Sequence, residues 1–146
     1  MEHHHFLEPT VADYVRAFKA IAPGITRKQY SVLVAHHQAP GRVISATKLA
    51  DEVGFNSYVT ANRVYGTLGG KVAKSLGIRL KGVNIGILVD FVDPHYAANE
   101  HFLWVLRANV AIALEQLDWV PRVSRYLFPD LAMSHTEPAR RPLYGA

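Results

Sequence analysis

Cysteine is absent from all 146 residues of the sequence. Disulfide bonds and thiolate metal sites are therefore excluded, and the absence agrees with a cytoplasmic protein. No apolar run approaches the roughly 18 residues that a membrane-spanning helix requires. The longest, NIGILVDFV, has the length of a strand and contains Asp90. The start, MEHHHFLEP, also lacks the apolar core of a secretory signal. We expect a cytoplasmic protein with no membrane partner.

Motifs typical of catalysis and of metal binding are missing too. The sequence contains no G-x-S-x-G, no P-loop and no G-x-G-x-x-G, and no nucleophile has a recognisable base. Neither the histidines at 3–5 nor His95 with His101 match a zinc-binding motif. His36 and His37 are adjacent on a predicted helix, so we expect one to be buried and one exposed. The sequence predicts neither an enzyme nor a protein that binds a metal or cofactor.

Acidic residues are absent between Glu52 and Asp90, whereas five cations fall inside this interval. The cations are Arg63, Lys71, Lys74, Arg79 and Lys81. The formal net charge of the whole chain is only +4, but this interval holds five cations and no acids, so the positive charge is concentrated in the middle of the sequence. A basic region of this kind attracts a polyanion such as nucleic acid.

The first part of the chain predicts three helices within a domain over residues 1–120. Their apolar residues recur at helical spacing, and each helix follows a suitable N-cap, namely Thr10, Thr26 or Ser45. Gly54 stands in the C-cap position of the third helix.

The second part of the chain predicts two further helices separated by a β-hairpin. The helices are predicted over 57–76 and, with about five turns, over 98–117. The β-branched and aromatic residues of 78–92 surround a polar, glycine-containing centre, which is typical of a hairpin. The segment 121–146 contains four prolines and is predicted to form an irregular tail.

Residues 45–76 fit the helix-turn-helix pattern. Ala50 takes the place of the small residue in the first helix, and Gly54 follows four residues later at the turn. The next apolar position falls on Thr60, with Ala61 beside it, so the turn is about one residue longer than the common form. Together with the hairpin, this order predicts a winged helix-turn-helix-like single domain, mainly α with a small β-hairpin wing.

The helix over 57–76 has two faces when its residues are projected at 100° each. The predicted buried stripe consists of Ala61, Val64, Leu68 and Val72. The opposite face consists of Val59, Asn62, Arg63, Gly66, Gly70, Ala73 and Lys74. Glycine costs a helix interior about 1 kcal/mol relative to alanine, so Gly66 and Gly70 indicate the close approach of another backbone. That backbone belongs either to DNA or to another helix of the same protein.

Side-chain chemistry assigns contacts to duplex DNA on the exposed face. Asn62 suits a bidentate contact to adenine, and Arg63 suits guanine or phosphate. The hydroxyl groups suited to phosphate oxygens are those of Ser57, which is equally an N-cap, Thr60 and Thr67. The cations expected along the DNA backbone are Lys71 and Lys74 and, at the tip of the predicted wing, Arg79 and Lys81. Each lysine can equally be a solvated side chain.

Aromatic residues fall into two groups. Tyr30, Phe91 and Trp104 lie on apolar stripes and are predicted to be in the core. Tyr58 and Tyr65 flank the predicted reading helix, and Tyr65, at the edge of the buried stripe, suits either core packing or a base contact. A pocket that reads a methyl group needs aromatic walls, for which Tyr58, Tyr65 and Trp104 are the candidates.

The stretch ISATKLADEVGFNSYVTANRVYGTLGGKV resembles winged-helix modules of proteins that carry HNH nucleases of the modification-dependent restriction type. The shared residues after the Ala-Asp-Glu-Val-Gly-aromatic helix end are Ala61, Asn62, Tyr65, Gly66, Leu68 and Gly69. The segment FLWVLRANVAIALEQLDWV is similar to the closing part of that group, so the resemblance covers about residues 26–120. It implies a module that reads duplex DNA, including a methylated base such as methyladenine, with a nuclease as partner or neighbouring domain. This chain has no His-Asn-His cluster, so nuclease activity does not follow.

A second class of function also fits the sequence. A small helix-turn-helix protein can act through protein contacts, as an inhibitor or adaptor of nucleic-acid machinery. Gly66 and Gly70 would then form a helix-docking surface, and the helix over 98–117 would be a homodimer interface. Binding that weakens steeply with salt indicates phosphate contacts, whereas an apolar protein contact changes little.

Overall fold

Most of the protein is α-helical, with one small antiparallel sheet. The computed structural model describes residues 7–92 and 103–121. Within these residues the helices are α1 (Val11–Ile21), α2 (Arg27–Gln38), α3 (Ala46–Val53), α4 (Tyr58–Leu76) and α5 (Ala108–Gln116). The strands are β1 (Val43–Ser45), β2 (Val89–Val92) and β3 (Leu103–Leu106). Short 3-10 helices occupy Ala22–Gly24, Pro40–Arg42 and Asn84–Ile87.

The three strands form a sheet in the order β1-β3-β2, and both pairs are antiparallel. Trp104 in the central strand is opposite Ile44 on one side and Phe91 on the other. The strand before the helix pair α3-α4 therefore joins the two strands that follow it. The order is a helix (α2), a strand (β1), the helix-turn-helix α3-α4 and two antiparallel strands (β2 and β3). This order is a winged helix-turn-helix arrangement. The predicted fold class, mainly α with a small β-wing, is confirmed.

The predicted helix starts are confirmed by their caps. Thr10 and Thr26 each form a capping box with the third residue of the helix that follows. The Ser45 hydroxyl accepts a hydrogen bond from the backbone N–H of Lys48 at 3.1 Å. Gly54 ends α3 in the left-handed region with φ 81°, which favours glycine. The turn between α3 and α4 therefore lies where the sequence pattern predicts it.

The predicted hairpin over 78–92 is wrong. Residues 78–83 contain no helix or strand, Asn84–Ile87 is a 3-10 helix, and only Val89–Val92 is a strand. Residues 85–89 are buried consecutively, whereas a hairpin on the surface would bury alternate residues. The strand partner of β2 is β3, and the connection between them, 93–102, lies outside the described residues.

The predicted helix over 98–117 is correct only in its second half. Helix α5 begins at Ala108, and Leu103–Leu106 is the central strand of the sheet. The four residues of β3 alternate between half-buried and buried and form ladders with β1 and β2. These pairings on both sides outweigh the modest helix propensity of the segment. Residues 98–102 lie outside the described part of the chain.

Buried apolar side chains from all five described helices and from the sheet form the core. Tyr14, Phe18, Leu33, Leu68 and Leu114 are all fully buried. Helix α4 is central to this packing because it contacts α1, α2, α3 and the 3-10 helix before β2. None of the described helices is long and apolar enough to cross a membrane.

Two aromatic predictions for the core hold and one does not. Trp104 is buried and Phe91 is half-buried in the sheet. Tyr30 lies at the surface, where its hydroxyl donates to the backbone oxygen of Trp119 at 2.6 Å. The tail predicted for 121–146 lies, after Pro121, outside the described residues.

The side chain of Arg107, the residue after β3, links the sheet to the 3-10 helix Asn84–Ile87. The side chain is buried, and its Nε and Nη2 donate to the Gly86 carbonyl at 3.1 and 2.9 Å. Its Nη1 lies 3.0 Å from a carboxylate oxygen of Asp90 in β2. The sequence does not indicate this role, because Gly86 lies 21 residues away along the chain.

Candidate nucleic-acid interface

The predicted contact residues divide into three groups by exposure. The exposed ones are Ser57, Tyr58, Asn62, Arg63, Thr67, Lys74, Arg79 and Lys81. The half-buried ones are Thr60, Gly66, Gly70 and Lys71, and Tyr65 is buried. Of the predicted buried stripe, Ala61, Leu68 and Val72 are fully buried and Val64 is half-buried. Ala73 is buried as well and does not belong to the exposed face.

The first turn of α4 has neither a side-chain cap nor an acidic residue that would complement its dipole. Ser57 occupies the N-cap, but its side chain makes no capping hydrogen bond. No acidic residue lies in this turn. The first backbone N–H groups of a helix have no partner within the helix, and its N-terminal end carries partial positive charge. This end of α4 is therefore suited to negatively charged groups such as phosphates.

Ion pairs elsewhere in the protein neutralise most of the described carboxylates. These pairs join Asp13 to Arg16, Glu52 to Lys48, Asp90 to Arg107, and Glu115 to Arg42. Within the described residues, no ion pair involves Arg63, Lys74, Arg79 or Lys81. The basic charge predicted from the sequence is thus left available to an external anion.

Lys71 holds two helices together, which corrects its predicted position along a DNA backbone. Its Nζ donates to the Gly24 carbonyl at 2.6 Å and to Gln29 Oε1 at 2.9 Å. Gly24 ends the 3-10 helix before α2 and Gln29 lies in the first turn of α2. These acceptors are 47 and 42 residues away along the chain, so the sequence around Lys71 does not indicate them. Arg27 and Lys28, in the same first turn of α2 as Gln29, are exposed. The Lys71 ammonium group is therefore engaged in contacts inside the protein.

The three glycines of α4 have different surroundings. A Cβ added at Gly69 would lie 2.8 Å from the backbone carbon of Asn84 and 3.0 Å from the Cα of Ile85. At Gly70 it would lie 3.2 Å from the side-chain nitrogen of Asn84. At Gly66 it would meet no atom within 4 Å. Internal packing thus explains Gly69 and constrains Gly70, and Gly66 alone is open to an external partner.

Tyr65 belongs to the core, which corrects its place among the contact residues. Its hydroxyl lies 2.7 Å from Nδ1 of His36, and its ring meets Trp104 edge-on at 5.4 Å. Tyr58 is 45% exposed at the start of α4. The predicted methyl-reading pocket of Tyr58, Tyr65 and Trp104 is therefore not formed. The spacing of Tyr65 from Ala61, four residues earlier, is the sequence signal for its burial.

His36 and His37 are both buried, so the prediction that one is exposed is wrong. Nε2 of His36 lies 3.0 Å from each of the backbone oxygens of Arg42 and Trp104, to which only an N–H can donate. Its Nδ1 then accepts from the Tyr65 hydroxyl. Burial lowers the pKa of His36 to about 4. This neutral imidazole joins α2, the 3-10 helix Pro40–Arg42, β3 and α4.

His37 contacts a different helix from His36. Its Nε2 lies 2.7 Å from Oε2 of Glu115, which also accepts from Arg42 at 3.0 Å. No three His, Asp or Glu side chains in the described part of the chain are grouped as a metal site. His95 and His101 lie outside that part.

Comparisons of the chain with protein-family models, with curated proteins and with solved structures find no match. The resemblance to modules associated with HNH nucleases therefore stays a prediction from the sequence. The exposed surface of α4 and its neighbouring cations is the basis for a functional proposal.

Proposed function

We propose that the domain binds duplex DNA through α4, with the exposed face of this helix in the major groove. The observation that carries the proposal is the exposed polar and basic face of α4, whose cations have no acidic partner within the described residues. The second helix of a helix-turn-helix enters the major groove with its N-terminal residues near the bases. The groove, about 12 Å wide, accommodates an α-helix.

Two side chains near the start of α4 are proposed to read bases. Asn62 and Arg63 are exposed and lie within the first two turns of the helix. Asn62 would form a bidentate contact with adenine, and Arg63 would contact guanine or a phosphate. Ser57 at the N-cap and Thr67 on the exposed face would donate to phosphate oxygens.

The phosphate contacts would extend beyond α4 on other segments. Lys74 and Arg79 lie near the C-terminal end of α4, and Lys81 follows them. Arg27 and Lys28 lie in the first turn of α2, where cations are disfavoured by the helix dipole. A phosphate strand would relieve that repulsion, because it places negative charge beside the same turn.

The resemblance from the sequence suggests a biological role for this activity. We propose that the module supplies specificity in a restriction-type system, together with a separate nuclease. Methyladenine reading belongs to this proposal and is supported by Tyr58, the exposed aromatic residue of α4. A duplex with methyladenine is accordingly one of the probes in the binding assay.

Removal of Arg63 and Lys74 is expected to weaken duplex binding strongly. Arg63→Ala alone should cost about 1–3 kcal/mol if it contacts a base. The added loss of Lys74 should reduce the salt slope of log K by about one contact. Fluorescence anisotropy with a labelled duplex at two salt concentrations measures both effects.

The matched control for this double variant is Arg16→Ala with Lys48→Ala. It removes the same charge from two exposed cations that pair with Asp13 and Glu52. This control should retain most of the affinity of the wild type. Equal losses of duplex affinity in both double variants would show that the effect depends only on net charge. Unchanged affinity without Arg63 and Lys74 would refute the proposed interface.

Gly66→Ala is expected to separate stability from binding. The open space around Gly66 allows a methyl group, and alanine is favoured over glycine in a helix by up to about 1 kcal/mol. The melting temperature should therefore rise while duplex affinity falls, since the methyl group would crowd the approaching DNA. Calorimetry and anisotropy on the same sample test this. Full affinity in the variant would show that DNA does not approach this turn.

The protein-interaction alternative uses the same surface. Its dimer helix is shortened, because α5 covers only Ala108–Gln116. Gly66 would still accept a docking helix of a partner protein. Binding of duplex DNA that decreases with salt favours the first proposal, whereas a protein partner that protects α4 at high salt favours the alternative.

A further inference from the structure

The first turn of α4 exposes an apolar side chain in the middle of a polar face. Val59 is 54% exposed, although a valine gains stability when it is removed from water. Asn62 and Arg63 follow three and four residues later, so the three side chains are neighbours on one face of the helix. An apolar group in this position is adjacent to the two residues proposed to read bases.

The surroundings of Val59 allow a partner to approach the helix closely. Gly66 lies seven residues further along the same face, where even an added Cβ would meet no protein atom within 4 Å. Valine has a short side chain, so its methyl groups contact a partner only when the helix backbone comes near. The missing side chain at Gly66 removes the obstacle that a larger residue would present on the next turns.

We propose that Val59 contacts the C5-methyl group of a pyrimidine in the major groove; this inference rests on the proposed DNA binding by α4. The C5-methyl group of thymine is the apolar feature that base pairs present in this groove. 5-Methylcytosine presents a methyl group at the same ring position. Val59 is thus a specificity residue whose contact, unlike that of Arg63, does not depend on salt.

The probe is a duplex selected from a randomised library by the wild-type protein. Each thymine is then replaced singly by deoxyuridine, which removes only the C5-methyl group. At one position the replacement should weaken wild-type binding about fourfold, the effect of one buried carbon. Val59→Ala should bind the thymine duplex more weakly and lose the difference between thymine and deoxyuridine at that position.

Val43→Ala is the matched control, because Val43 is an exposed valine on β1 rather than α4. This variant should retain the fourfold preference. In a further duplex, the sensitive thymine–adenine pair is replaced by 5-methylcytosine–guanine. Retained affinity would support recognition of the methyl group from either base, and lost affinity would support recognition of thymine.

The results distinguish this inference from the DNA-binding proposal. If the wild type binds no duplex, both are refuted. If it binds duplex DNA with equal affinity for thymine and deoxyuridine at every position, only the methyl contact is refuted. If Val59→Ala keeps the wild-type preference, the methyl contact belongs to another residue and the assignment to Val59 is wrong.

Discussion

Gly69→Ala is expected to lower the free energy of unfolding by about 1–3 kcal/mol, the usual cost of overpacking a filled interior. The new methyl group would lie 2.8 Å from the backbone carbon of Asn84 and 3.0 Å from the Cα of Ile85. Backbone atoms cannot rotate away, so α4 and the 3-10 helix before β2 must separate. Gly66→Ala gains the same helix propensity without any clash. The difference between these two variants therefore isolates the steric cost.

Urea denaturation of both variants measures this difference. Asn84→Ala serves as a second-site test, because Gly70 faces the Asn84 side chain whereas Gly69 faces its backbone. This substitution should rescue any loss in Gly70→Ala and should not rescue Gly69→Ala. Equal stability of Gly66→Ala and Gly69→Ala would contradict the packing that brings α4 and Asn84 together.

Local signals in the sequence predict helices α1 to α4 and the turn between α3 and α4. The side chains of Thr10, Thr26 and Ser45 each cap a helix by accepting a hydrogen bond from the backbone N–H three residues later. Gly54 ends α3 because its own φ is positive. The buried stripe of α4 follows from a period that needs no knowledge of the rest of the protein. These features could be predicted because their causes lie inside one short segment.

The sheet could not be predicted in the same way, because its pairings join distant segments. Val43 is opposite Val105, and Val89 is opposite Leu106. The β-branched and aromatic residues of β2 correctly indicate a strand. The apolar residues that precede β2 along the chain, however, are buried in the core and do not form a second strand beside it. Leu103–Leu106 looks helical in isolation, and its strand conformation depends on partners on both sides.

The candidate site shows the same division. Exposure of Asn62, Arg63 and Lys74 follows from the helical period and is confirmed. The internal contacts of Lys71 could not be predicted, because its acceptors Gly24 and Gln29 lie 47 and 42 residues away along the chain. The burial of Tyr65 is one of the two alternatives that its position at the edge of the buried stripe leaves open.

Lowering the pH from 7 to 4 is expected to remove about 3 kcal/mol of stability through His36 alone. Burial lowers the pKa of His36 from 6.5 to about 4. Between these values the unfolded chain binds a proton that the folded protein excludes. Stability is therefore complete above the unfolded pKa and is lost as the pH falls towards the folded pKa. Below the folded pKa this contribution decreases no further.

Urea denaturation at several pH values, with wild type and His36→Gln, measures this effect. The variant is less stable at pH 7, because glutamine cannot reproduce the three contacts of the imidazole. Its stability should nevertheless depend less on pH between 6.5 and 4, since the variant lacks the imidazole whose pKa differs between the folded and unfolded states. Parallel curves for the two proteins would contradict a neutral buried His36. The neutral form matters beyond stability, because Nδ1 holds Tyr65 and so orients α4, the helix proposed to enter the DNA groove.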